Sequence, residues 1–422
     1  MAGRGRRASE AGAISFAGPV RSERDRLGSR ELPADALYGI QTLRSLENLG
    51  FSSRPLGSLP KYVWALGMVK RAAARANREA GVLMPRLADA IEAGAAPLVA
   101  GQLLDQFPAD LLGGGGSIGV HVNVNEVVAN LANESLGGRR GEYMPVTLKL
   151  VSASQSTADV CHSGLRMALL KQWQTLSPVI ANAVKTLRGL GRSLNTVPTL
   201  SRTCLQDAVT TTLGVLFGGF AEALARRLRE LDAAATALRA IALGGTVIGT
   251  GDGAPAAYRK AVVPALRKIA GLEVEPRASL TDALQNSDDL AAVSVQLRLL
   301  AELLIKIAKD LRLLASGPQG GFGEIVLPHV QEGSSFFTGK SNPVVPETVL
   351  QCAFQVLGCD RAVQAAMEQS ELYLNVFDGL MAVNLLGAME LLEQAVKRLD
   401  ERCLRGLKAD EARCRELAKL GS

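Results

Sequence analysis

At 422 residues, with 47% hydrophobic but only 4% aromatic side chains, the chain can bury a large core over two or three domains, and its abundant Ala and Leu suit closely spaced helices. A net charge of +6 and a pI near 9.0 do not signal nucleic acid, because the basic residues are spread along helical runs. Only Arg4-Gly-Arg-Arg7 forms a cluster, which reads as part of a solvated, disordered tail over residues 1–20.

Apolar stretches such as 93–100 and 213–217 are too short to span a bilayer, and residues 1–19 lack the continuous apolar core of a signal peptide. A soluble, cytoplasmic protein with neither membrane nor nucleic-acid partners is expected. The six cysteines, at 161, 204, 352, 359, 403 and 414, form no Cys-x-x-Cys pair and have no histidines at zinc spacing. They read as reduced thiols, with no metal site and no cofactor.

In chain order, 62–79 and 85–96 read as amphipathic helices after a short irregular opening, and 125–137 as a third, closed by Gly137-Gly138. From Thr157 the helical runs lengthen to 164–190, 205–242, 288–315 and 347–392, each with apolar residues at three- and four-residue steps. Gly- and Pro-bearing breaks separate them at 192–198, 244–255 and 317–323. The expected division is an N-terminal domain over 21–154, a central helical bundle over 155–398 and a short C-terminal segment over 399–422. Gly113 to Gly116 and Gly244-Gly-Thr-Val-Ile-Gly-Thr-Gly251 lack the preceding strand and downstream ribose-binding acid of a dinucleotide site, so they read as turns.

The densest chemistry lies in Gly333-Ser-Ser-Phe-Phe-Thr-Gly-Lys-Ser-Asn-Pro343. It nearly spells a phosphate-binding P-loop, but five residues rather than four separate Gly333 from Gly339-Lys340-Ser341, no apolar strand feeds it, and Pro343 and Pro346 interrupt the helix that would follow. Two hydroxyls, a cation and an amide with glycines between them suit carboxylate recognition instead.

The loop resembles the signature Gly-Ser-Ser-x-Met-Pro-x-Lys-x-Asn-Pro of the aspartase/fumarase superfamily, and Val344-Val-Pro-Glu347 is similar to its aspartase branch. Further resemblances follow in family order: Leu27-Gly-Ser-Arg-Glu-Leu-Pro-Ala-Asp-Ala-Leu-Tyr-Gly39, Asp105-Gln-Phe-Pro-Ala-Asp110, Asn123-Val-Asn-Glu126, Gln155-Ser-Thr157, Arg202-Thr-Cys-Leu-Gln-Asp207 and Leu311-Arg-Leu-Leu-Ala-Ser-Gly-Pro318. The resemblance implies an all-α fold with a mixed N-terminal domain and a long central bundle, which assembles as a homotetramer around a twenty-helix core. It also implies composite sites built from three subunits.

The implied reaction removes a proton beside one carboxylate of a small dicarboxylate substrate and expels a group from the neighbouring carbon, giving fumarate. Ser156, Thr157 and Ser335 match positions that hold the carboxylate of the doubly charged intermediate. Lys340, Asn342 and Thr203 match those that hold the other carboxylate. Ser334 matches the base and Glu347 the residue that orients Lys340.

The departures cluster. Where relatives carry Gly-Thr-Ser, this chain has Ser117-Ile118-Gly119, and His121 replaces the next Asn. Ala158 stands for Asn and Cys204 for His or Gln. These positions surround the leaving amine in family members, so Ile118, Ala158 and Cys204 imply an altered leaving-group pocket poorly suited to free ammonia. A substituted amine, a hydrazine-like nitrogen or nitrite fits it better. His121 is a candidate general acid or a structural hydrogen bonder. Phe336 and Phe337 replace Met-Pro, as loop drift or as an aromatic lid. Past residue 398 only the opening helices of the family's third domain are expected. Two rival readings stay open: a catalytically silent homologue serving as a scaffold or partner subunit, and an ordinary aspartate ammonia-lyase.

Overall fold

The computed structural model describes Ile14 and residues 16–421; the cluster Arg4-Gly-Arg-Arg7 lies outside them. The opening elements are β1 (Val20–Asp25), β2 (Gly28–Pro33), α1 (Ile40–Leu49), α2 (Pro60–Glu79), α3 (Pro85–Gly94), α4 (Ala96–Val99), α5 (Ile118–Ser135) and α6 (Leu148–Val151). Then come α7 (Thr157–Ser193), β3 (Pro198–Thr203), β4 (Gln206–Thr212), α8 (Leu213–Ala237), β5 (Ala240–Ile241), α9 (Ala256–Ala270), β6 (Glu275–Pro276), α10 (Leu280–Gln285) and α11 (Asp288–Leu314). The chain closes with β7 (Ile325–Val326), α12 (Val344–Glu368), α13 (Asp378–Arg402), β8 (Lys408–Ala409) and α14 (Glu411–Ala418). Among the described residues the strands make only two-stranded ribbons, so the fold is all-α in class, with helices carrying the core.

Two compact units divide the chain. One gathers the residues up to Ala168 with Arg239–Ser287 and Ala366–Val383; the other holds Leu169–Leu238, Asp288–Ala365 and the chain from Asn384 onward. In the first, α2 packs against α3, α4 and α9. Pro60 opens it at a position where its missing N–H costs nothing. Ala65, Ala72, Ala73, Ala74 and Ala76 are all buried there, since a helix covered on several faces needs small side chains around most of its girth. In the second unit α8 packs on α11, and α14 lies against β3.

One glycine in the first unit shows what its motif does. The Gly39 N–H and Gln41 N–H donate to the Glu126 carboxylate at 2.9 and 2.8 Å, and Thr42 adds its N–H at 3.1 Å and its hydroxyl at 2.6 Å. Glu126 thereby satisfies the orphan donors at the start of α1. A Cβ at residue 39 would collide with the Tyr143 hydroxyl and with Glu126 itself.

Two expected helices come out differently. Residues 205–242 begin as a hairpin, with Pro198 facing Thr212 and Thr203 facing Gln206. The β-branched run Val209-Thr-Thr-Thr212 favours extended backbone over helix, so α8 starts only at Leu213. Residues 347–392 split at 369–377, because Asn375 ties the chain elsewhere. Its amide donates to the Ala366 carbonyl at 3.0 Å, its side-chain oxygen accepts from Phe377 N–H at 2.9 Å, and its own N–H reaches Leu284 O at 2.9 Å. The helix expected from residue 125 starts earlier, at Ile118.

Among the described residues one segment, Asp378–Gly406, is long and apolar enough to cross a bilayer, contrary to the reading that every apolar stretch is too short. With 56% of its most apolar window buried inside the protein, it has the character of a core helix.

Candidate active site

In the first unit the N-terminal ends of α5 and α7 meet at a cavity of about 380 Å³, lined by Gln41, Ile118, His121, Val122, Asn125, Leu148, Lys149, Ser152, Gln155, Ser156, Thr157 and Val247. Lys149 contributes a cation, and no Asp or Glu is among these residues. Two helix N-termini and a cation make a place that favours anions.

Local hydrogen bonds fix how α7 begins. The Ser156 hydroxyl accepts from Ala158 N–H at 3.1 Å, and the Asp159 carboxylate accepts from Ser156 N–H at 2.8 Å, the reciprocal arrangement of a capping box. The second Asp159 oxygen accepts from Gly244 N–H and Thr246 N–H, both at 3.1 Å, which anchors the glycine-rich turn near Val247. Burial outweighs these donors and lifts the Asp159 carboxyl to about 7. Thr157 is thus set in the first turn of a 37-residue helix.

Behind Thr157 lies a line of buried polar groups. Lys70 is fully buried and His121 is 4% exposed. The Lys70 Nζ lies 2.8 Å from His121 Nε2 and donates to Gln155 Oε1 at 2.8 Å; His121 Nδ1 lies 2.9 Å from Thr157 Oγ1. Burial draws the Lys70 ammonium down to about 7. Burial first, and the neighbouring Lys70 second, hold His121 well below the usual imidazole range. The sequence reading missed Lys70. Its signal was a lysine on the buried face of α2, in register with Tyr62, Leu66, Ala73 and Asn77, all buried.

The loop with the densest sequence chemistry lies in the second unit and closes on itself. Gly333 N–H donates to the Lys340 carbonyl at 2.9 Å, and the Asn342 amide donates to Gly333 O at 2.7 Å. The Ser334 hydroxyl oxygen accepts from Phe336 N–H at 3.0 Å and Phe337 N–H at 2.9 Å. Lys340 Nζ stands 5.7 Å from the centre of the Phe337 ring. Ser335 and Lys340 are exposed, as are Phe336 at 84% and Phe337 at 58%. The Glu347 carboxylate meets Arg312 at 3.4 Å rather than Lys340.

Thr203 and Cys204 sit exposed at the tip of the β3–β4 hairpin. The two turn residues Cys204 and Leu205 have φ of 53° and 61°, the left-handed conformation that a tight hairpin demands and non-glycine residues resist. Ile118 is 48% exposed at the cavity. Ala158 does not line the cavity. One helical step from Thr157 turns its side chain by about 100°, into an apolar cluster with Ala242, Ala283 and Leu284. The structure therefore groups Ile118, His121, Ser156 and Thr157 at one cavity, Ser334, Ser335, Lys340 and Asn342 in one loop, and Thr203 with Cys204 on one hairpin.

Comparison with known proteins identifies the family. A family model described as lyase matches residues 28–358. Aspartate ammonia-lyase of Pseudomonas fluorescens is 41% identical over 408 residues, covering 96% of this chain and 85% of the relative, and that of Escherichia coli is 36% identical over 397 residues, covering 94% and 83%. The crystal structure of fumarate lyase:delta crystallin from Brucella melitensis bound to cobalt superposes with a TM-score of 0.92 at 41% identity, over 94% of this chain and 87% of that one. A class II fumarase from Schistosoma mansoni gives a TM-score of 0.92 at 27% identity, with the same coverage of 94% and 87%. The chain belongs to this lyase family, and it is a carbon–nitrogen lyase of the aspartase/fumarase superfamily.

Proposed function

We propose that the protein catalyses cofactor-free β-elimination, or its reverse, on an aspartate or succinate derivative, and that the nitrogen-containing leaving group is not free ammonia. Ser334 takes the proton from the carbon beside one carboxylate, the electron pair left behind forms the double bond of fumarate, and the nitrogen leaves with the electrons of its bond to carbon. Two backbone N–H groups at 2.9 and 3.0 Å are suited to stabilise a Ser334 alkoxide, and Lys340 supplies positive charge in the same loop. Thr157, Ser156 and Ser335 hold the carboxylate that becomes doubly charged; Lys340, Asn342 and Thr203 hold the other.

The observation that carries the leaving-group part is the make-up of the cavity around Thr157. Its lining brings a cation and hydroxyls but no carboxylate, and Ile118 presents an apolar face there. Hydroxyls and the amide oxygens of Gln41 and Asn125 can accept from an ammonium there, but no carboxylate balances its charge and Lys149 repels it, so the lining receives a dianion better than a departing ammonium. A substituted amine, a hydrazine-like nitrogen or nitrite makes smaller demands. Assembly as a cytoplasmic homotetramer, with each site drawing loop, cavity and hairpin from three subunits, completes the proposal and accounts for exposed catalytic candidates at Ser335, Lys340 and Thr203.

A second reading is an ordinary aspartate ammonia-lyase, favoured by the relatives of that name at 41% identity. The test is incubation with aspartate, N-substituted aspartates and nitrosuccinate, and in reverse with fumarate and a panel of nitrogen nucleophiles, following fumarate absorbance. Turnover of aspartate above the others selects the second reading; turnover of none contradicts both.

A further inference from the structure

A buried lysine is costly unless something repays its desolvation. Among the described residues Lys70 has no carboxylate at hydrogen-bond distance; it has the His121 imidazole and the Gln155 amide, each at 2.8 Å. The Gln155 amide is itself fixed, since its Nε2 donates to the carbonyls of Val151 and Ala153, both at 3.1 Å. Its oxygen is thereby committed to Lys70.

In its ammonium form, which it holds below about pH 7, Lys70 only donates. His121 Nε2, facing Lys70, must therefore accept, and a neutral imidazole with a bare Nε2 carries its proton on Nδ1. That proton lies on the line to Thr157 Oγ1, 2.9 Å away, so the threonine oxygen receives a hydrogen bond and keeps its own proton to give. In the opposite tautomer an N–H would face the ammonium, and Thr157 would spend its proton on Nδ1. No other bond involving Thr157 Oγ1 is found among the described residues, and the residue lines the cavity.

We propose that Lys70 and His121 are positioning residues that set the direction of the Thr157 hydroxyl, committing its proton to the cavity as a donor to a substrate carboxylate oxygen. The inference rests on the proposed function, in which Thr157 grips a carboxylate, and it assigns His121 to orienting that grip rather than to protonating the leaving group.

The test measures succinate affinity of the full chain by calorimetry for wild type, Thr157→Val, Lys70→Met, His121→Leu and His121→Asn, and reads the His121 ring tautomer by ¹⁵N NMR of the wild type. Thr157→Val is expected to weaken succinate about tenfold. Lys70→Met and His121→Leu should match that loss, while His121→Asn, whose amide nitrogen can still donate to Thr157, should bind within about twofold of wild type. The ring should carry its proton on Nδ1. If Thr157→Val weakens binding but Lys70→Met and His121→Leu do not, or if the ring proton sits on Nε2, the inference falls and the carboxylate grip stands. Should Thr157→Val bind like wild type, both fall together. Where Lys70→Met does not fold, the His121 pair and the tautomer decide the matter.

Discussion

The cavity around Thr157 and the loop from Gly333 to Pro343 carry similar chemistry, hydroxyls beside a lysine, but they hold it in opposite ways. Lys70 is fully buried and wired through His121 to Thr157 with each contact between 2.8 and 2.9 Å; Lys340 is exposed, its ammonium 5.7 Å from the centre of the Phe337 ring. The buried group has met the cost of leaving water during folding, so its geometry is ready before substrate arrives. The loop keeps its lysine hydrated and defers that cost to binding. Groups of the first kind influence stability and its pH dependence along with affinity, whereas those of the second influence turnover and affinity with little effect on the fold.

The largest expected departure from that contrast, if it is wrong, is at Ser334. Replacing it with Ala should cut turnover of the active panel compound by about 10²-fold or more and leave the thermal midpoint within about two degrees of wild type, because the bonds lost lie in an exposed turn. Undiminished turnover would remove Ser334 from the chemistry; a collapsed midpoint would show the loop to be structural after all.

Lys340→Met sharpens the comparison through affinity. Loss of the cation should weaken succinate binding by about 2 to 4 kcal/mol, the range of a charge-assisted contact desolvated on binding, with unfolding by denaturant unchanged. Succinate bound as tightly as before would separate the loop from the dicarboxylate grip.

At the buried lysine the effect falls on stability and shows in pH. Its folded pKa of about 7 lies below the ordinary lysine value, so between about 7 and 10 the unfolded chain binds a proton that the folded one does not. Lys70 therefore makes wild-type stability rise with pH across that window, at about 1.4 kcal/mol per pH unit where the difference is complete. Subtracting the unfolding free energy of Lys70→Met at each pH cancels the titrating groups that Lys70 does not touch, leaving Lys70 with its neighbours Asp159 and His121, and above about pH 8 this difference should climb toward alkaline pH. A flat difference would mean that Lys70 is not held near neutrality by its burial.

Much of this was legible in the sequence, for reasons that vary by residue. The helices at Pro60–Glu79 and Asp288–Leu314 show in three- and four-residue apolar steps, because a helix buried on one side must repeat at its own pitch. Family membership showed in ordered motifs, each with a local task such as the Gly39–Glu126 bond at 2.9 Å. Strand β4 falls inside the helix expected from residue 205 because Ala and Leu downstream dominate the window, although Val209-Thr-Thr-Thr212 carries the contrary signal. The break at Asn375 depends on Leu284, far away in sequence, and no local pattern announces it. The partnership of Lys70, His121 and Thr157 joins three elements; spacing along the chain could place each residue on its helix but could not bring them together.

The central claim is that the site holds a dicarboxylate but has lost its place for ammonia, and aspartate tests it most directly. Each missing contact to a buried ammonium is worth about 1.5 to 3 kcal/mol, so the changes at Ile118 and Cys204 together should suppress deamination by about 10²-fold or more, while Ala158, turned into an apolar cluster, contributes nothing to the pocket. Ammonia released from aspartate by the purified wild-type chain, measured beside its turnover of N-substituted aspartates and nitrosuccinate, should be close to background, and should rise when Ile118→Thr and Cys204→His are combined. Ammonia release from aspartate by the unmodified chain at rates ordinary for an aspartate ammonia-lyase would contradict the account.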